Sequence, residues 1–183
     1  MFATRNNYLY HVMMSGIYLG SALVGVRFVS YLFNAYNSNV FAMILFVVYA
    51  LGVFRLVKKY REEQLGGYIT YWNSVSFIIL TSFFASMILG LFSFVYLKFI
   101  DTTILTSMIN EAESAYVKIF DVLDGSFSDD LQEELIKQVR NITPMDIWKS
   151  EMTNYLWGGS LLGLLLSFFV RRVNNDPFHE INS

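Results

Sequence analysis

From Asn73 to Leu97 the chain runs for 25 positions without a charged residue. At about 1.5 Å per residue a helix of that length reaches roughly 37 Å, more than the ~30 Å of hydrocarbon in a bilayer. Such a run reads as a membrane helix that crosses with a tilt. Three further apolar runs accompany it. The first extends from Tyr8 to Phe33 and contains His11 and Arg27. The second covers Val40 to Phe54 and continues past Arg55 through Leu56 and Val57, about 27 Å in all. The fourth, Met152 to Val170, is again free of charge. Only 15% of the residues are charged and 55% are hydrophobic, where a soluble domain carries about 25% charged residues. The reading is an all-α integral membrane protein with four transmembrane helices and an extracytoplasmic helical hairpin between the third and fourth.

The first run has a single preceding arginine, exceeds the length of a leader's apolar core and lacks an A-x-A site, so it is read as a retained anchor. Lysine and arginine placement then sets the orientation. The connection Asn34–Asn39 has none, whereas the next carries Arg55, Lys58, Lys59 and Arg61; Arg171 and Arg172 follow the last run. Residues 101–151 hold eleven acids against four bases, a local charge of −7, and the rest of the chain is +5. Both termini and the basic connection at 55–72 are therefore expected in the cytoplasm, and the acidic segment on the far side. The organisation is residues 1–100 for the first three membrane helices, 101–150 for the acidic helical segment, 151–172 for the fourth membrane helix and 173–183 for a cytoplasmic tail. Tyr68, Tyr71, Trp72, Trp148, Tyr155 and Trp157 cluster at span ends and read as headgroup-level anchors.

In the acidic segment, Leu105, Ile109, Ala112, Tyr116, Ile119 and Leu123 step by four and three, one stripe of a helix. Gly125 marks its end, and Ser128 caps a second helix with Asp129 and Asp130 at its positive pole and a stripe of Leu131, Leu135, Val139 and Ile142. Thr143-Pro144-Met145-Asp146 starts a third helix that runs on into the fourth span. The two stripes are expected to face each other or the membrane surface; a seam with a second copy is the alternative. The acid pairs Glu111/Glu113, Asp129/Asp130 and Glu133/Glu134 lack a calcium-loop pattern and read as a solvated face.

Small residues recur at four-residue spacing: Gly16 and Gly20, then Ser21 and Gly25; Ser82, Ser86 and Gly90; Gly159 and Gly163. In lipid, helices associate through close backbone approach, so these are helix-packing positions, with a homodimer or a partner helix as the alternative. No acid is assigned to any of the four apolar runs, which argues against a proton-coupled transporter. Arg27 lies well inside its run, and Lys98 stands at the same outer level. Both are read as snorkelling to the interface; a contact to a lipid phosphate or anionic substrate is the functional alternative. The chain has no Cys. His11 and His179 lack metal-ligand spacing, and no nucleophile elbow, phosphate loop or zinc motif appears, so neither cofactor nor metal nor catalytic residue is assigned. Asn141-Ile142-Thr143 fits a glycosylation acceptor, but helix capping accounts for Thr143.

The most distinctive stretch is Lys59-Tyr60-Arg61-Glu62 followed by Leu65-Gly66-Gly67-Tyr68-Ile69-Thr70, then the long third run and Phe99-Ile100-Asp101, with a basic tail of Arg171, Arg172 and Pro177. Over nearly its whole length the chain resembles the family catalogued as domain of unknown function 4199, small inner-membrane proteins of Bacteroidota. Thr102 stands where that pattern has Pro, and Trp72-Asn73 is bulkier than usual. The resemblance implies a bacterial inner-membrane location and supplies no activity. Physically, Lys58 to Glu63 prolongs the second helix into the cytosol, Gly66 and Gly67 turn the chain, and Tyr68 re-enters the interface. Lys58, Lys59, Arg61, Glu62, Gly66, Gly67 and Tyr68 either form a topological hairpin on anionic headgroups or dock a partner. The expected function is that of a non-enzymatic membrane subunit that scaffolds or regulates an envelope enzyme or transport machine. Its partners would be membrane lipids and other membrane proteins or further copies, not nucleic acid. An oligomeric carrier or channel for an anionic solute or lipid is the alternative, and a lipid-modifying enzyme using Arg27 and Lys98 a third reading.

Overall fold

The computed structural model describes residues 2–36, 38–123 and 128–172, with side chains described from Tyr8 onward and excluding Asp129. Gly125, Pro177 and His179 lie outside the described residues. Among the described residues six α-helices follow in order: α1 Phe2–Leu32, α2 Asn39–Gln64, α3 Tyr71–Val95, α4 Thr102–Val122, α5 Asp129–Arg140 and α6 Pro144–Val170, with a π-helical turn at Tyr96–Ile100 joining α3 to α4. Four of them, α1, α2, α3 with its π turn and α6, are long and apolar enough to cross a bilayer. The molecule is an all-α, multi-pass membrane protein.

Polar caps start these helices. Ser38, Thr70 and Asp101 each accept a hydrogen bond from a first-turn amide of α2, α3 and α4, relieving donors that have no intrahelical partner. Thr143 and Asp146 form the reciprocal capping box expected from the sequence: the Thr143 amide donates to Asp146 Oδ2 at 3.1 Å and the Asp146 amide to Thr143 Oγ1 at 3.4 Å. Ser128 does stand at the start of α5, but its side chain makes no capping hydrogen bond. The second span is longer than its apolar run. Arg55, Lys58 and Lys59 stay helical, so α2 covers 26 residues, about 39 Å.

The central helix is α3, which packs most extensively against α6 and next against α1. Its inward face is unusually small and polar: Ser74, Thr81, Ser82, Ala85, Ser86, Gly90 and Ser93 are buried. Ser82 and Ser86 return their hydroxyls to the carbonyls of Ile78 and Phe83, both at 2.8 Å, whereas the buried hydroxyls of Ser74 and Thr81 have no hydrogen-bond partner among the described residues. A β-carbon on Gly16 would sit 2.4 Å from Phe84 Cβ, and one on Gly20 would sit 3.0 Å from the Ala85 carbonyl. On α6, Gly159 lies against Ser82 and Tyr49, and Gly163 against Val75 and Ile78. These are the close backbone approaches that lipid-embedded helices need. Gly25 is different. A β-carbon there meets nothing within 4 Å among the described residues.

Two of the expected interface anchors turn inward. The indole of Trp148 fills the notch over Gly90, where an added β-carbon would lie 2.1 Å from Trp148 Cδ1. Tyr155 packs edge-on against Tyr49 with ring centroids 5.1 Å apart. Trp72, Trp157 and Tyr68 remain exposed.

The stripe read along α4 is covered over only part of its length. Ile104 is buried and Leu105, Ile109 and Ala112 are half-buried, whereas Tyr116, Ile119 and Leu123 are exposed. α4 and α5 contact one another, and Arg140 Nε donates to Glu113 Oε2 at 3.0 Å across the contact. That bond holds the Glu113 carboxyl below the usual carboxylate range. Its stabilisation is fully present above the unfolded value of about 4.3 and is lost as the pH falls through the lower folded value. The protection factors of the α5 amides, with the intrinsic pH dependence of exchange divided out, are therefore expected to be unchanged from pH 7 down to about 5 and to fall below pH 4. Glu113→Gln should remove that acid dependence.

Candidate functional site

Arg27 and Glu151 form the chemically most distinctive pair in the membrane region. Arg27 projects from α1 and Glu151 from α6, with Arg27 Nη2 2.9 Å from Glu151 Oε1 and side chains only 17% and 9% exposed. The expectation that Arg27 snorkels is corrected: a counter-ion inside the bundle holds it. Glu151, one residue before the charge-free run Met152–Val170, lies within the continuous helix α6 and is buried. Removing both charges from water costs several kcal/mol per ion, and their mutual attraction is what permits the burial.

The position follows from helix geometry. Glu151, Tyr155, Gly159, Gly163 and Ser167 form one i+4 row on α6, and four of these five residues are buried. Arg27 is five residues short of the end of α1. Beside the pair, Tyr31 donates to Ser93 Oγ at 3.4 Å, and Ser93 stands next to the Glu151 carboxylate. Arg27 Nε and Glu151 Oε2 are buried without a well-aligned hydrogen bond. A cavity of about 370 Å³ adjoins them, lined also by Tyr36, Leu45, Phe46, Tyr49, Asn154 and Gly158. Lys98 is not part of this cluster. Its ammonium lies over the rings of Phe94 and Phe99, at 5.2 and 5.3 Å, so the joint Arg27–Lys98 contact is replaced by Arg27–Glu151.

The opposite end of the bundle holds the Lys59–Thr70 block. Tyr60 stacks on Phe77 at 4.5 Å and meets Tyr8 edge-on at 5.9 Å, tying α2 to α3 and α1. Arg61 is almost fully buried; its Nη1 donates to the Val170 carbonyl at 2.7 Å, and its guanidinium also pairs with Glu62. It thus supplies a cation and a donor to the C-terminus of α6, where carbonyls lack partners. Gly66 and Gly67 have φ of +61° and +90°, the left-handed region that glycine enters without penalty. Their turn lets Ile69 pair with Arg172, amide to carbonyl in both directions at 2.9 and 3.1 Å. Arg61 therefore acts as an internal clasp, not as part of a free docking surface. Lys58, Lys59 and Tyr68 stay exposed. Arg61→Ala is expected to free the end of α6 at a cost of about 2 kcal/mol, the range for a charge-assisted hydrogen bond, with Arg61→Lys recovering only part of it. Thermal unfolding in detergent checks both.

A family model described as a protein of unknown function, DUF4199, matches residues 14–172. The chain belongs to that family. Among curated proteins and among solved structures, nothing matches. The DUF4199 match includes both ends of the bundle: the clasp from Lys59 to Arg172, and the pair Arg27 and Glu151. Sequence reasoning singled out Arg27 but missed its partner, which it counted with the acidic segment. The i+4 row leading back from Ser167 through Gly159 was the available signal.

Proposed function

We propose that this DUF4199 chain is a non-enzymatic subunit of a bacterial inner membrane that scaffolds or regulates an envelope enzyme or transport machine through the exposed face of α4. Its termini and the 55–72 connection are taken as cytoplasmic, in keeping with Arg55, Lys58, Lys59, Arg171 and Arg172 at that end. The acidic α4–α5 segment is then extracytoplasmic. The carrying observation is on α4. Val122 is 82% exposed, and Tyr116, Val117, Ile119 and Leu123 lie open beside it, in a segment of otherwise strong negative charge. A contiguous apolar patch rimmed by acids marks an interaction surface, and a second membrane protein is the occupant proposed. Photo-crosslinking from benzophenone residues at Ile119 and Val122 in native membranes tests this. A discrete heavier polypeptide adduct from both, and none from Glu133, is expected. Lipid adducts alone would contradict it.

A carrier or channel for an anionic solute or lipid is the second reading, favoured by the cavity beside Arg27. Two features weigh against it. Glu151 neutralises Arg27, and the buried Leu19, Leu23 and Val53 fill the core below.

A further inference from the structure

We propose that the cavity beside Arg27 and Glu151 binds a zwitterionic phosphoethanolamine group, with the phosphate toward Arg27 and the ammonium toward Glu151. The pair offers both signs at 2.9 Å separation, so an anion drawn to Arg27 is repelled by Glu151, and a cation meets the reverse. A ligand carrying both charges satisfies both. Both residues line the cavity wall, the guanidinium carried by α1 and the carboxylate by α6, so a ligand that enters meets the two charges together.

The depth of the pair fits the same ligand. From Val170, which accepts from Arg61 at the basic end, Glu151 is nineteen residues away along α6, about 29 Å. That is the thickness of the hydrocarbon, so the pair sits where the chains of the opposite leaflet give way to headgroups. The cavity grades to match. Ala42, Phe46 and Asn154 on its rim are exposed while Leu45, Tyr49 and Glu151 are buried. Since α2 and α6 touch only sparingly, the rim opens between two membrane helices toward lipid. Its volume of about 370 Å³ falls in the range of small-molecule sites, roughly 300–1,000 Å³. The site stands independently of the partner surface on α4.

The test uses the full chain in a mild non-ionic detergent, with lipid retention read by native mass spectrometry. The probes are phosphatidylethanolamine, phosphatidylglycerol, which lacks the cation, and phosphatidylcholine, whose methylated ammonium has no N–H to donate. Phosphatidylethanolamine is expected to be retained on the order of tenfold more strongly than either, the worth of one charge-assisted hydrogen bond. Gly158→Leu, where an added β-carbon meets only the Tyr49 ring at 4.0 Å, fills the cavity without touching the pair and should abolish the preference. Arg27→Gln/Glu151→Gln, with folding verified by circular dichroism, should do the same. Soluble glycerophosphoethanolamine separates the two sources of this chemistry. Displacement of the lipid shows that the zwitterion suffices, and failure to displace shows that a membrane lipid is the ligand; either keeps the site. Equal retention of the three lipids, or a preference that survives Gly158→Leu, would overturn it.

Discussion

Replacing Glu151 by alanine is expected to destabilise the folded protein by about 3 kcal/mol, because Arg27 is then left charged and unpaired inside the bundle. The side chains are 17% and 9% exposed, so water screens the stranded charge only weakly. For a chain of this size that loss corresponds to a fall in melting temperature of roughly 6–12 °C. Arg27→Met/Glu151→Leu should recover most of it, since two apolar side chains in place of a buried pair are often neutral or better. Thermal unfolding of both variants in one detergent provides the double-mutant comparison. Unfolding of Glu151→Ala at the wild-type temperature would show that the pair contributes nothing.

The second large effect is expected at Gly16. A β-carbon there would stand 2.4 Å from Phe84 Cβ and 3.1 Å from the Thr81 carbonyl. Neither is the free end of a flexible side chain, so Gly16→Leu must push α1 off α3. Overpacking of this kind costs about 1–3 kcal/mol and more where backbone must move. Gly25 serves as the control on the same helix. With nothing within 4 Å of its missing β-carbon, Gly25→Ala should be neutral or stabilise by up to about 1 kcal/mol, the helix-propensity difference. Disulfide trapping between cysteines placed on α1 and α3 would report the separation directly, falling for Gly16→Leu and holding for Gly25→Ala.

These two sites show where sequence reasoning reaches its limit. Helix existence is a matter of composition and local caps. The charge-free third span, the Thr143–Asp146 capping box and the glycine turn at 66–67 were therefore all legible. The length of α2 was legible as well: Lys58 to Glu63 prolong it past its apolar run, and it ends at Gln64, just before Gly66 and Gly67. Partnership was least legible, because it depends on which faces meet. Gly16 and Gly25 look alike in a spacing pattern, yet only Gly16 meets α3. Arg27 stood out as a charge in lipid, but its counter-ion is 124 positions away and was hidden among the acids of residues 101–151. Arg61 read as a surface base in a basic run and proves to be the residue that holds the end of α6.

The chain contains no cysteine, so single cysteines report sidedness without background. Lys59, at the basic end, and Glu133, on α5, are both exposed, and each can be replaced by cysteine and challenged with a membrane-impermeant maleimide in spheroplasts. Labelling at 133 in intact spheroplasts, with 59 reacting only after the membrane is opened, is the result expected of four crossings that put the acidic helices outside. Labelling of both positions from the same side would contradict it.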